Sequence, residues 1–549
     1  MKAIFLYCSL LTLLFISSSF AAHSSDKTVK VEQAITEAMQ AFNIPGVAVA
    51  IVENDQVVFS QGFGLKEYGK QDKVTSDTLF GIASNTKAMT VALLAQLVDK
   101  YELSWQTKVV DIVPEFQLYN AFVTNQFTLI DLLSHRSGLG YGAGDLIIWP
   151  QRNHTEKDIY NGLKHLPQTS AFRTEFAYNN LMYIIAGKVI EKITQKSWHK
   201  NIQDRLFKPL GMNNSSANFS LLTSSLSNKK IDIAKPHLLI KEQLTVVESD
   251  YLTNFSSAGS VISNVHDMAL WLKVLLNKGE LNKGQSNEEN VVAATPPFIK
   301  LNWEIDTSLN QLYSKTQASL MWHPHISRKV SATEVEQDNT HFSAYGLGWF
   351  LKDFHGMKLV HHSGGIRGMV SRVLLVPEKN IGVVILTNQE SNAAINAIYR
   401  EIFEAYLDLP QKNWIAFYQQ QEQKQLKREL NRLRAIEKRL IPSGSSPLNL
   451  NHYAQTYIDK WYGEIVINKE NNKLRMRFSQ TSLLKGELIY YQDNTFVVRW
   501  DDRTLNADAY VKFSVTQHGD ISEVTLKPVS YLTDFSFDFE DLKLIPKTH

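Results

Sequence analysis

A serine and a lysine three residues apart on a helix project to one side, and Ser84-Asn85-Thr86-Lys87 offers such a pair as nucleophile and base. The spacing alone does not select it, because Ser-x-x-Lys also begins at Ser24, Ser197, Ser227 and Ser482. Only Ser84 opens a run, Ala88 to Val98, that is apolar nearly all round and predicts a buried helix. A helix N-terminus beside Ser84 favours negative charge on an attacking oxygen or its adduct. Lys87, one turn into a buried helix, loses hydration, which lowers its pKa toward that of a neutral base near pH 7. The bland alternative is an N-cap serine beside a solvated lysine.

Two further clusters carry chemistry. Tyr178-Asn179-Asn180 is the one Tyr-x-Asn in the chain. A tyrosine hydroxyl facing a lysine can relay the serine proton, and the Asn180 amide can hold both the lysine and a substrate carbonyl. The same residues also suit a turn before the apolar helix expected over Leu181 to Ile193. His361-His362-Ser363-Gly364-Gly365 contains the one His-x-Gly. Its glycines allow a substrate close to the backbone, where a strand-edge amide would complete an oxyanion hole with the Ser84 amide. A metal site is not expected: His323-Pro324-His325 is the only other close histidine pair, and a metal needs further ligands.

These residues must be positioned by strands at both ends of one region. Ala48 to Val52 and Val57 to Phe59 flank the polar Glu53 to Gln56 and predict a β-hairpin; Val373 to Val376 and Val383 to Leu386, split by Pro377 to Asn380, predict a second. The two ends are expected to meet around helices supplied by the middle. From Gln411 to Leu440 the composition shifts to Gln, Lys, Arg and Leu, with Leu426, Leu430, Leu433, Ile436 and Leu440 at helical spacing. This predicts a helical connector, either a solvated face or a basic surface for an anionic membrane. After the linker Ile441 to Pro447, alternating runs at Glu464 to Ile467, Leu474 to Phe478, Thr495 to Trp500 and Tyr510 to Val515 predict an antiparallel barrel or sandwich.

The chain has 549 residues, 44% hydrophobic and 20% charged, too long for one core and too apolar for disorder. With 57 basic and 55 acidic residues there is no global field to collect nucleic acid, and no basic stripe is interleaved with aromatics. Lys2 followed by the apolar Ala3 to Phe20 reads as an export signal, cleaved after Ala21; left uncleaved, the same run is a membrane anchor. The single cysteine, Cys8, lies inside it, so the mature chain is expected to be thiol-free and to rely on core packing. Gly62-Phe63-Gly64 lacks the third glycine of a dinucleotide loop.

Taken in order and at these separations, the three motifs resemble the serine β-lactamase and penicillin-binding family, most closely its class C-like, S12-type branch. Ile44 to Val49, Phe80 to Ala83, Leu132 to Leu139 and Tyr345 to Trp349 add to the resemblance. It implies an α+β fold: an antiparallel sheet with a helical subdomain over 30–408, then the connector and linker at 411–447. Tyr453 to Tyr457 with Trp461-Tyr462-Gly463 resembles the start of a lipocalin-like accessory barrel, here 448–549. By the resemblance Ser84 is the nucleophile, Lys87 and Tyr178 the proton-transfer pair, and Asn180 the group that orients substrate and lysine. His362 takes the place of the family's third-motif lysine, with Gly364 beside it, and Gly365 supplies the second oxyanion amide. No cofactor or metal is implied, and the partner is a small-molecule or peptide acyl donor; oligomeric state is open.

The chain departs from the family at that third motif, where no Lys-Thr-Gly or Lys-Ser-Gly exists. A lysine is a fixed cation for a substrate carboxylate, whereas histidine is charged only in part near pH 7. Esterase, amidase and D-amino-acid peptidase members of the family, which resemble this chain in carrying histidine there, imply such an activity in preference to a β-lactamase. The competing expectation is a catalytically silent penicillin- or peptidoglycan-binding sensor.

Overall fold

The computed structural model describes residues 26–100, 103–150, 154–218, 231–240, 243–249, 253–281, 310–441 and 446–547. The expected export signal therefore lies outside the described residues. An eight-stranded antiparallel sheet runs in the order Gln56–Gly64, Gly46–Glu53, Ile381–Thr387, Met369–Val376, Met357–Ile366, Phe350–Phe354, Ser343–Tyr345, Ile326–Ser327. Both expected hairpins are present, the first turning at Asn54 and Asp55, whose positive φ values of 50° and 64° suit the short loop. The ends meet as expected, Val49 pairing with Ile385 and Ile51 with Val383.

The central strands are buried on both faces, so they read as continuous apolar runs, yet their side chains still alternate between two cores. Val47, Val49 and Ile51 pack with the helix over 26–42 and with the Asn392–Leu407 helix. Ala48, Ala50 and Val52 face the opposite way, onto the layer holding the Thr86–Lys100, Asn180–Thr194 and Val265–Leu276 helices. In the first of these every residue from Thr86 to Leu97 is buried, as its apolar circumference requires.

The connector is the Trp414–Glu437 helix. Its first turn, Trp414 and Ile415, packs in the core behind the sheet, and Ile436 packs against Val497 and Val529 of the second unit. Leu426 and Leu430 are exposed between them, so the leucine spacing marks a bridge rather than a buried stripe. The second unit is a closed barrel of eight antiparallel strands between Thr456 and Pro546. Tyr453, Tyr457, Phe478, Phe496, Trp500 and Phe513 are buried in its core, with the Tyr453 and Phe513 ring centroids 4.8 Å apart. Strands Lys485–Gln492 and Ile521–Pro528 were not expected from the sequence. Among the described residues no helix is long and apolar enough to cross a membrane.

Candidate active site

Ser84 sits in a 3-10 turn, Ala83–Asn85, immediately ahead of the long buried helix. The turn is entered through Ala83 at φ 47°, a conformation that costs a non-glycine residue of order 1 kcal/mol and needs support. Support comes from the sheet: Asn85 Nδ2 donates to Ser371 Oγ at 2.8 Å, and Ser371 Oγ donates to the Ile82 carbonyl at 2.7 Å. Gly364 lies flat against the same turn. A Cβ there would stand 2.1 Å from Ile82 O and 3.0 Å from the Ser84 nitrogen, so only glycine lets this strand approach Ser84.

Lys87 is fully buried, which excludes the solvated alternative. Its Nζ lies 2.9 Å from Ser84 Oγ, 2.7 Å from Asn180 Oδ1 and 2.8 Å from the Ala258 carbonyl. The carbonyl is held by the turn over Thr253–Ala258, where Thr90 Oγ1 donates to Ser257 O at 2.7 Å. Burial brings Lys87 down to about 7, against the opposing pull of Asp145. Asn180 opens the Asn180–Thr194 helix behind its cap Asn179, so the expected turn before an apolar helix and the amide contact to lysine are both present. Its Nδ2 donates to Asp145 Oδ2 at 2.7 Å. Burial raises the Asp145 carboxyl to about 7, although Asn180 and Lys87 both favour its charged form.

Tyr178 is buried, its hydroxyl has no well-formed hydrogen bond among the described residues, and Ser84 lies close enough to bias its titration. Burial holds its pKa well above the usual 10, so it is a neutral phenol that can donate. Its ring faces Lys87 Nζ at 4.9 Å and packs on His135 at 4.4 Å between centroids, the planes tilted by 34°. His135 Nδ1 accepts from the Asn179 amide at 3.0 Å, which fixes the tautomer and the ring behind Tyr178.

His362 differs from the expectation of partial charge. Its Nδ1 is 2.6 Å from Ser363 O, which can only accept, so Nδ1 carries the proton and Nε2 accepts from Tyr345 Oη at 3.1 Å. Burial, reinforced by Lys87, lowers its pKa to about 3, so it is neutral at physiological pH. Gly365 is the exposed residue of the motif. The two-residue turn Arg367-Gly368 joins the paired Ile366 and Met369, and alternation of ladder bonds from that pair leaves the Gly365 N–H facing away from the Met369–Val376 strand.

Several contributors escaped sequence reasoning. Asp145 lies in the loop after Tyr141, whose path no local pattern dictates. More distant still is the barrel segment around Phe535. That ring meets Tyr141 at 4.8 Å and Tyr178 at 6.0 Å, edge to face, and Asp538 Oδ2 accepts from the Gly144 amide at 2.6 Å. The tip of the third-motif hairpin is tied to the barrel as well, Arg367 Nη2 pairing with Asp502 at 3.0 Å.

Residues 31–406 match the family model described as Beta-lactamase. The chain belongs to the beta-lactamase family. Residues 441–546 match a second model, described as a domain of unknown function (DUF3471). Among named relatives of the beta-lactamase-family chain, the unguisins hydrolase ungD' of Aspergillus campestris is 28% identical over 80% of this chain and 78% of its own. Protein flp of Staphylococcus aureus is 25% identical over 67% of this chain and 64% of its own. The octameric penicillin-binding protein homologue from Pyrococcus abyssi shares the fold at TM-score 0.56 and 21% identity, over 94% of this chain and 99% of its own.

Proposed function

We propose that this chain is an exported serine hydrolase that forms an acyl-enzyme at Ser84 with ester, amide or peptide carbonyls. The observation that carries the reading is the proton inventory around Lys87. Two of its three neighbours, Ala258 O and Asn180 Oδ1, can only accept, so a neutral Lys87 amine spends both its hydrogens on them. Its lone pair then points at Ser84 Oγ, 2.9 Å away, where it can take the serine proton.

In this reading Ser84 Oγ attacks the carbonyl carbon as its proton passes to Lys87. The oxyanion is received by the backbone amides of Ser84 and Gly365. Tyr178 donates to the leaving oxygen or nitrogen and is resupplied from the Lys87 ammonium, and water later hydrolyses the Ser84 ester. The neutral His362 places no cation beside the third motif, which favours neutral acyl groups, such as esters or peptides without a nearby carboxylate, over β-lactams. The hydrolase name of the Aspergillus relative supports the reaction class, and the apolar run at Ala3 to Phe20 supports export.

Intact-protein mass spectrometry after mixing with a p-nitrophenyl ester or a penicillin tests the reading, with Ser84→Ala as comparison. A short-lived adduct or ester burst that vanishes in Ser84→Ala is expected. A long-lived penicillin adduct without turnover would replace the hydrolase by a penicillin-trapping sensor, and turnover surviving Ser84→Ala would remove Ser84 from the mechanism.

A further inference from the structure

The loop that presents Asp145 to Asn180 has no cap of its own. Asp145–Ile147 is a single 3-10 turn, and its N-cap, Gly144, sits at φ 80° with no side chain. None fits: a Cβ at Gly144 would meet Leu181 at 2.7 Å and Leu166 at 2.9 Å. The free amide at the head of this turn is instead satisfied by Asp538 Oδ2, at 2.6 Å and 394 residues further along the chain.

The barrel segment that carries Asp538 is itself anchored. Glu429 of the connector helix accepts from Ser530 Oγ at 2.7 Å and from the Tyr531 amide at 3.1 Å, and Arg432 lies over the Tyr531 ring at 4.2 Å. Phe535 then packs on Gly142 and Tyr141. On the other side of the turn the Ala143 carbonyl accepts from Asn179 Nδ2 at 2.8 Å, and the Gly142 amide donates to the Tyr178 carbonyl at 2.8 Å. One short loop thus connects the barrel to both members of the Tyr178 and Asn180 pair.

We propose that Asp538, carried by the C-terminal barrel, is a positioning residue for the Lys87 base, acting through Gly144, Asp145 and Asn180. The inference rests on the hydrolase reading above and adds the claim that the barrel completes the catalytic unit. The chain of contacts is Asp538 to the Gly144 amide, the adjoining Asp145 Oδ2 to Asn180 Nδ2, and Asn180 Oδ1 to Lys87 Nζ. Each member is held by the one before it, and displacement of the Asp145 turn lets the Asn180 amide rotate away from the lysine. The charged and titratable groups facing Lys87 are Asp145, Tyr178, Tyr183, His135 and His362. Asp145 faces Asp534 and Asp538 in addition. Of these, Asp145 is the group that supports the charged form of Lys87. Its withdrawal lowers the lysine pKa and moves the rise of reactivity to lower pH.

The test is labelling of Ser84 by a fluorophosphonate in the full-length protein, measured from about pH 5 to about pH 9, the range in which Lys87 should titrate. The Ser84 Oγ–P bond forms, the P–F bond breaks and the serine proton goes to Lys87, so the rate reports the base directly. Asp538→Ala is expected to slow plateau labelling about tenfold or more and to shift the midpoint to lower pH by about half a unit. Asp538→Asn, which keeps an acceptor oxygen for the Gly144 amide, is expected to restore both. Asp145→Asn should shift the midpoint in the same direction. A wild-type rate and midpoint in Asp538→Ala would overturn the inference while leaving the hydrolase reading standing. So would a fall in melting temperature with slowed labelling and an unmoved midpoint in both Asp538 variants, which marks a structural role only. Should Asp538→Ala fail to fold, an unshifted Asp145→Asn midpoint decides against it. Wild-type protein that is not labelled at Ser84 would sink the hydrolase reading itself, and the inference with it.

Discussion

In the proposed mechanism Lys87 is the base, and its burial has two measurable consequences. Its base form is populated only above about 7, so ester acylation should rise with pH through that region and plateau above it. The stability consequence has the same sign. Between about 7 and its ordinary value of 10.5 the unfolded chain binds a proton at this lysine that the folded chain does not, so folding stability gains with pH across that window. The difference in unfolding free energy between wild type and Lys87→Met should therefore grow with pH from about 7 to about 10, approaching about 1.4 kcal/mol per pH unit, as denaturant titrations at stepped pH would read. A flat difference would mean that the lysine stays charged in the fold. His362 gives the complementary prediction. His362→Lys, placed between the Tyr345 hydroxyl and Ser363 O, restores a fixed cation and should raise kcat/KM or adduct rate for penicillins relative to neutral esters by about tenfold. An unchanged ratio would show that the charge at this position does not set acyl-donor preference.

At the scale of elements, the Ser84 turn and the third-motif strand are one joint. Gly364→Ala forces a Cβ onto Ile82 O and the Ser84 amide, so the strand must retreat from the turn. Acylation should fall by about a hundredfold, with a stability loss of about 1 to 3 kcal/mol; wild-type acylation in a folded Gly364→Ala would show that this contact is not needed. The joint was legible in the sequence because each half is local: a serine ahead of an all-apolar helix, a histidine and glycines ahead of a hairpin. The hairpins announced themselves by apolar runs around polar turns. Asp145 did not, since its role depends on the path of a loop that Gly142 and Gly144 bend at positive φ. The Phe535 segment was invisible for a different reason. It is a barrel loop whose side chains act on residues nearly four hundred positions earlier, and no periodicity records such a pairing. The strand Lys485–Gln492 was missed because its Gly486 and its mixed burial break the alternation that reveals strands.

Across the whole molecule, the barrel meets the candidate site through a small aromatic contact. Phe535 is exposed yet set edge to face against both Tyr141 and Tyr178, the latter ring also facing Lys87. Phe535→Ala should raise kcat/KM for esters of bulky acyl groups several-fold relative to acetate, with a stability change of about 1 kcal/mol or less at this half-exposed site. Equal effects on small and bulky esters would mean that the ring supports the loop without filtering substrates.

The Asp538 bond to Gly144 also orders events in time. During synthesis, at roughly 5 to 20 residues per second, about 20 to 80 s separate the emergence of those two partners. The strand Gly46–Glu53 waits almost as long for Ile381–Thr387, the neighbour that places it inside the sheet. A nascent chain carrying Ser84 and Lys87 is thus a long-lived unfinished object, in which the Gly144 amide has no Asp538 to meet until the last part of the barrel arrives.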